Sequence, residues 1–525
     1  MILYMSIALI LLCINQIYFL RYVYLYQLES YELIPFIKLV CKKINVLDYV
    51  FFLVNLMLFM LLMLFCCETL LILLCVINLV YFTVLLINYY KNLSNFKIKL
   101  KYTKRVLRCN LLYTFVEFVT IIITIMTKTN NLCILLIFNN LLFLISTFVD
   151  LPIEKFIHNY YIRKTQKVLN ANKNLKIIAI TGSYGKTSVK NILYEILSQK
   201  YNVLATPMSY NTPMGICKCI RSELKPYHEY LILEFGAKRV GEIKYLCEKF
   251  KPNYAIISSI GPQHIETFGN MDNIIKTKME LYDYIVNKSN CVCNVSNTHI
   301  RDYLTDRQSD CQRVVFEDDN TGDALFKKNT LELRIEKCDR YGSKFCVLYG
   351  GETEQYNTKL LGVHNVINVG LAIAMSKKLG ISYNQIVCGL ANVIAIKHRL
   401  ELKDMGDYLL IDNAYNSNPN SFRCAIDTLC LFSDMIKIVV TPGVIDQGAN
   451  GYRENYELGR YMADKVDFVY LVNKTNRRAL YEGLTSAGMN DDKIFIFDNF
   501  SDLEWKDFGE GEIVLIENDL PDNFD

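Results

Sequence analysis

The chain has 525 residues, with 57 Lys and Arg against 53 Asp and Glu, and its net charge of +4 gives no electrostatic footprint for nucleic acid. That length exceeds one ordinary core and predicts two to four domains. The 18 cysteines fall in apolar runs (Cys66, Cys67, Cys75) or beside strand-like segments (Cys291, Cys293), with no C-x-x-C pair, which argues against a disulfide-stapled secreted scaffold.

Composition changes sharply near residue 150. Before it lie five apolar stretches, at 2–20, 49–66, 69–89, 110–126 and 131–149, each near the ~20 residues that cross a hydrocarbon core. Buried core helices are the alternative reading. Lys and Arg concentrate in 21–48 and 91–109, so charge bias puts the N-terminus outside and the chain after residue 150 in the cytoplasm. The expectation is therefore a five-span α-helical membrane region over 1–150, in a bacterial-type inner (cytoplasmic) membrane. Glu117 falls inside the fourth stretch, and an ionisable group there is either functional or paired with a polar neighbour. Residues 151–172, "LPIEKFIHNYYIRKTQKVLN" and its flanks, carry apolar residues at helical spacing beside Lys155, Arg163, Lys164 and Lys167. They predict a helix lying on lipid headgroups or an ordinary linker helix.

From residue 173 the pattern becomes α/β. "LKIIAI" reads as a buried parallel strand, "TGSYGKTS" follows, and "VKNILYEILSQK" has helical periodicity. A strand, a glycine-rich turn and a helix form the setting in which a phosphate is cradled by backbone N–H groups at a helix N-terminus. The spacing is G-x-x-G-K-T, shorter than the usual G-x-x-x-x-G-K-[ST]. Gly182 and Gly185 would allow the tight turn, Ser183 lies between them, and Lys186 would supply a cation for the outer phosphates. Thr187 or Ser188 would offer a hydroxyl to Mg²⁺.

Further motifs follow in order. They are "SYNTPMG" (209–215), "LILEFGAKRVGEI" (231–243), "HIETFGNMDNIIKTKMELY" (264–282), "LGVHNVINVGLAIA" (361–374), "HRLEL" (398–402) and "IDNAYNSNPNSF" (411–422). With the loop, this series resembles the Mur ligase family, most of all its branch that adds D-alanyl-D-alanine. The resemblance spans about 180 to 425. It implies a central ATP-binding domain over 173–396, of phosphate-loop type with a parallel sheet, and a Rossmann-like domain over 397–525 that carries the incoming amino compound. "IKIVVTPG", "FVYLVN", "KIFIFD" and "EIVLIEN" are the strand candidates of the latter.

The resemblance also implies roles. Glu234 and His264, each at the end of a strand-like run, would hold a divalent ion with Thr187. Lys278 matches a lysine that is carbamylated in the family and so becomes a further metal-binding carboxylate, although Lys276 lies half a turn away. Asn365 and Asn368 share a helical face and match positions that read adenine. Arg399 matches an arginine near the ribose and phosphates, and Asp412 the first of an acidic pair at the nucleotide. The second acidic position is Asn413 here, and Asp446 and Gln447 stand where the family has Glu-Leu.

The activity implied is ATP-dependent amide formation through an acyl phosphate, with Lys186, Lys278 and His264 as catalytic groups and ATP and Mg²⁺ as cofactors. The partners implied are a muramyl-peptide cell-wall precursor, UDP-linked or lipid-linked, and an amino-acid or dipeptide amine donor, with membrane lipids around the spans. A ligase for another amino-acid polymer of the poly-γ-glutamate type, a nucleotide-driven transporter and a catalytically inactive ATP-binding scaffold are the competing readings.

Overall fold

The computed structural model describes residues 16, 19–29, 31–43, 80, 83, 100–126 and 139–519, apart from 209, 306, 308–309, 320–328, 416, 446, 504 and 506–507. Two compact units are distinguished, Met1–Asn159 with Leu520–Asp525, and Tyr160–Asp519.

In the first unit, helices run over Leu33–Lys43 and Lys104–Met126, and a third, Asn139–Ala171, begins there. Aromatic side chains fill its interior, with Phe19 5.2 Å from Tyr113 and Phe36 5.4 Å from Phe143 between ring centroids. Beside them sits an ionic cluster. Arg108 Nε donates to Asp150 at 2.8 Å and its Nη2 to Glu154, while Arg105 Nε lies 3.5 Å from Asp150.

These contacts correct the expected five-span membrane region. Among the described residues no helix is long and apolar enough to cross a membrane. The stretch 110–126 belongs to a helix that opens on Lys104, Arg105 and Arg108 and buries Glu117 completely, where Gln16 Nε2 donates to it at 3.3 Å. The stretch 131–149 runs, from Asn139, into the charged part of a longer helix that carries Asp150 and Glu154. The helix Lys104–Met126 thus carries basic residues at its start and a buried carboxylate in its middle, in place of the expected apolar span. The stretches 2–20, 49–66 and 69–89 lie almost wholly outside the described residues. The inner-membrane localisation rested on the spans and falls with them. In residues 160–171, Ile162 is buried in the core of the second unit and Val168 and Leu169 pack on it, while Tyr160 is exposed.

The second unit is built on two sheets. The first has nine strands: β1 Lys176–Thr181, β2 Val203–Ala205, β3 Tyr230–Glu234, β4 Tyr254–Ile257, β5 Cys291–Asn294, β6 Gln312–Phe316, β7 Thr330–Asp339, β8 Gly342–Tyr349 and β9 Glu352–Thr358. Their order is β2-β3-β1-β4-β5-β6-β7-β8-β9, parallel through β7 and antiparallel at β8 and β9. Central strands buried on both faces read as continuous apolar runs, and Ile178, Ala179 and Ile180 of β1 are fully buried between two apolar clusters. β1 lies between β3 and β4, and the chain runs from β1 to the β2–β3 side before crossing to β4 on the other. A crevice therefore opens beyond the carboxyl end of β1, where open α/β sheets bind ligands.

The second sheet comprises β10 Glu401–Asp404, β11 Leu409–Asn413, β12 Ile436–Thr441, β13 Phe468–Val472, β14 Ile494–Phe497 and β15 Glu512–Glu517, in the order β10-β11-β15-β12-β13-β14. Only β10 is antiparallel. Helices Pro419–Leu429, Gly451–Met462 and Arg477–Ser486 cover one face, and an aromatic layer with Phe508 and Trp505 covers the other. All four strand candidates of this region form strands.

Candidate active site

The loop after β1 is shaped by two glycines. Gly182 has φ 151° and Gly185 φ 78°, both in the region that side chains disfavour. A Cβ on Gly182 would lie 2.1 Å from Ser258 Oγ, and one on Gly185 2.4 Å from Asn368 Oδ1. The loop is tied to the segment after β4. Ser183 N donates to the Ser259 carbonyl at 2.6 Å, Ser183 Oγ to that of Gly261 at 2.9 Å, and Tyr184 Oη to that of Pro262 at 2.9 Å. The helix Lys186–Leu197 begins directly after Gly185, so its first N–H groups, which have no partner within the helix, face the turn together with its positive dipole end. Thr187 is buried at this start and Ser188 partly so. Gly182→Ala is expected to cost roughly 1–3 kcal/mol of stability from backbone strain alone, read as a lowered thermal midpoint, and to abolish nucleotide binding.

Lys186 curls back over the loop, its Nζ donating to the carbonyls of Gly182 at 2.7 Å and Ser183 at 3.0 Å. Burial lowers its pKa to about 8, Glu234 opposes that shift and Arg399 adds to it. Arg399 therefore lies within electrostatic range of the phosphate loop, with its guanidinium 4.6 Å from the Tyr415 ring centroid. Its neighbours His398 (φ 61°) and Leu400 (φ 47°) both hold left-handed backbone, a strain that marks functional loops.

Glu234 ends β3 and is 1% exposed. Asn211 Nδ2 donates to its Oε1 at 3.2 Å, and Lys190 Nζ lies 3.4 Å from Oε2. Of the two candidate lysines on helix Met271–Tyr284, Lys276 is exposed and Lys278 is 2% exposed. Lys278 Nζ lies 3.4 Å from the Ala237 carbonyl, to which it donates, and 5.9 Å from the Phe268 ring centroid. Burial holds its pKa well below that of an ordinary lysine, Lys186 adds to the shift, and Glu242, Glu234 and Glu280 oppose it. His264 follows β4 at the start of the short helix Ile265–Phe268, in left-handed backbone with φ 54°. Lys186, Glu234 and Lys278 thus share one electrostatic neighbourhood at the carboxyl ends of β1 and β3.

Among the described residues no three His, Cys, Asp or Glu side chains converge as a metal site. The donor chemistry still suits Mg²⁺, which takes one or two carboxylates and completes its shell with phosphate oxygens and water. Glu234 would offer one carboxylate, Thr187 a hydroxyl and His264 a nitrogen, and Lys278 would become a ligand only once modified.

Asn365 and Asn368 are both buried and joined, Asn368 Nδ2 donating to Asn365 Oδ1 at 3.1 Å, and Asn368 packs directly on Gly185. Asp412 accepts from Lys403 at 2.5 Å and pairs with His398 Nδ1 at 2.8 Å, which turns it toward the strained 398–400 turn.

The departure at Asn413 has a structural reason that sequence reading missed. Its Nδ2 donates to Glu517 at 2.6 Å, Ser417 Oγ donates to the other oxygen, and its Oδ1 accepts from the Leu400 N–H at 3.2 Å. Glu517 is fully buried, and burial raises its pKa to about 8. An aspartate at 413 would set a second carboxylate against it, whereas the amide donates. The altered 443–448 turn is likewise held by asparagine amides. Asn455 Nδ2 donates to Val444 O at 2.9 Å, Asn476 to Pro442 O at 3.0 Å and Asn518 to Gly443 O at 2.7 Å. Asp446 lies outside the described residues.

Residues 180–376 match the Mur ligase middle domain. The chain is 27% identical over 302 residues to the UDP-N-acetylmuramoyl-tripeptide–D-alanyl-D-alanine ligase of Escherichia coli, covering 57% of this chain and 65% of that one. The Haemophilus influenzae ligase of the same name is 26% identical over 362 residues, covering 68% and 74%. MurF from Acinetobacter baumannii superposes with a TM-score of 0.60 at 25% identity, over 69% of this chain and 77% of that one. MurF of Thermotoga maritima in complex with ADP shares the fold, with a TM-score of 0.56 at 21% identity over 69% of this chain and 80% of that one. The match thus spans slightly less than two thirds of the Escherichia coli enzyme's length.

Proposed function

We propose that this chain is an ATP-dependent carboxylate–amine ligase that joins D-alanyl-D-alanine, or a closely similar amino compound, to a UDP-linked muramyl tripeptide. The observation that carries this reading is the convergence of the Lys186 loop, Glu234 and the inward-facing Lys278 at one sheet edge. The lipid-linked alternative drew its support from the membrane spans and is not retained.

The reaction must bring a substrate carboxylate to the γ-phosphate of ATP, two anions that repel. A carboxylate oxygen bonds to phosphorus as the β,γ-bridging bond breaks and ADP leaves. The amine nitrogen then bonds to the acyl carbon, the phosphate leaves, and the amine gives up a proton. Lys186 and the loop N–H groups stabilise charge on the phosphoryl oxygens, which is where most catalysis of phosphoryl transfer arises. Mg²⁺, held by Thr187, Glu234, His264 and a carbamylated Lys278, would supply further neutralisation of the phosphates when bound. Arg399, Asp412, Asn365 and Asn368 are proposed for the nucleotide's ribose and base side.

The test is ADP release by the full chain with ATP, Mg²⁺, UDP-linked muramyl tripeptide and D-alanyl-D-alanine, with the amide product identified by mass spectrometry. Release that needs both substrates and yields the amide is expected. Release stimulated by free amino acids without the muramyl peptide would favour a polymer ligase instead, and ATP binding without turnover would identify a scaffold.

A further inference from the structure

Lys190 stands one turn beyond Lys186 on the same helix, yet it is 1% exposed and none of the roles above uses it. Its Nζ donates to the Met208 carbonyl and lies 3.4 Å from Glu234 Oε2. The opposite oxygen of Glu234 accepts from Asn211 at 3.2 Å. Asn211 is fixed in turn, because its carbonyl accepts from the Gly236 N–H at 3.0 Å and a Cβ on Gly236 would lie 2.8 Å from its Cγ. Met208 itself holds left-handed backbone at φ 46°. One ammonium thus joins three elements: the helix behind the phosphate loop, the carboxylate at the end of β3, and the turn at 206–212.

Two effects of this ammonium oppose each other. Its charge repels a cation arriving at Glu234, while its contacts hold the carboxylate in one orientation and keep the 206–212 turn against it. Each carboxylate oxygen has two lone pairs and here meets one protein donor, so both oxygens retain capacity for a cation. A carboxylate held at both oxygens loses little freedom on binding a metal, and loss of partners that orient a ligand typically costs 10–100-fold in metal affinity.

We infer that Lys190 is a positioning residue for the divalent cation, fixing Glu234 from behind and locking its orientation to the 206–212 turn. The inference rests on the ligase reading, in which Glu234 is a metal ligand.

Binding of Mn²⁺ to the full chain with a non-hydrolysable ATP analogue, followed by electron paramagnetic resonance, tests it without relying on turnover. Lys190→Met should weaken Mn²⁺ binding by about tenfold or more, leave metal-free analogue affinity within about twofold, and be partly restored in Lys190→Arg. Unchanged or tighter Mn²⁺ binding in Lys190→Met would overturn the inference, because the charge would then only compete with the cation. Should Lys190→Met not fold, Asn211→Ala removes the other hold on Glu234, and Mn²⁺ affinity equal to wild type there would overturn it equally. A wild-type chain that takes up no Mn²⁺ with the analogue would overturn the ligase reading and this inference together. A wild-type chain that binds it, beside a Lys190→Met variant that binds as well, defeats this inference alone.

Discussion

Lys186→Met will abolish ADP release, by about a thousandfold or more, or roughly 4 kcal/mol of transition-state stabilisation, while the protein stays folded. The asymmetry follows from the apo contacts of this side chain. Its side chain is half-buried and its Nζ donates to two backbone carbonyls, so removing it also removes a desolvation cost, and the thermal midpoint should hold or rise near neutral pH. The lowered pKa of about 8 adds two pH signatures. Below pH 8 the folded and unfolded chains both carry the proton and the burial cost is borne in full. Between 8 and the ordinary 10.5 the unfolded chain binds more protons, so the stability of the nucleotide-free protein rises with pH. ATP affinity moves the other way. Phosphates favour the ammonium, so above pH 8 binding must take up a proton and the affinity falls by up to about tenfold per pH unit. Calorimetric titration of ATP from pH 7 to 9.5 should show this decline in wild type and a flatter profile in Lys186→Met. A variant that still makes amide at the wild-type rate would defeat the mechanism.

Lys278→Ala is expected to lower ADP release by about a hundredfold or more, and Lys276→Ala to leave it within about twofold. A carbamate on Lys278 would form when the neutral amine nitrogen bonds to the carbon of CO₂ and sheds a proton. A lysine whose pKa lies well below the ordinary value presents that neutral amine near neutral pH. Carbon-13 labelled bicarbonate should therefore give a carbamate resonance in wild type that is absent in Lys278→Ala and fades as the pH is lowered. Acetate or formate at high concentration should restore part of the activity, since either can place a carboxylate in the space left by the shortened side chain. A full-rate Lys278→Ala enzyme would show that the site works without this group.

Much of the site was legible in the residues because its parts are local. The phosphate loop needs a strand, two glycines and a helix within a dozen positions, and those positions carry the whole pattern. The strands of the C-terminal sheet were equally plain, because buried parallel strands must be apolar along their length. The choice between Lys276 and Lys278 was not legible, since both sit on one helix and only its packing decides which side chain turns inward. Glu517 lies 104 residues from the Asn413 it meets, and no spacing rule joins them. Lys190 reads as one more polar residue on an amphipathic helix until Glu234 and Met208 arrive beside it. The five spans failed for a related reason. Hydropathy registers that a run is apolar, but Arg105 and Arg108 reach Asp150 and Glu154 only after two helices are brought together.

Short-range order therefore carried the class of this protein. Glycines that permit a turn, a lysine at its exit and apolar strands on either side are requirements that neighbouring residues meet among themselves. Which charges meet, which lysine is desolvated and which amide faces a carboxylate were decided by tertiary packing, because those energies depend on distances between segments far apart in the chain.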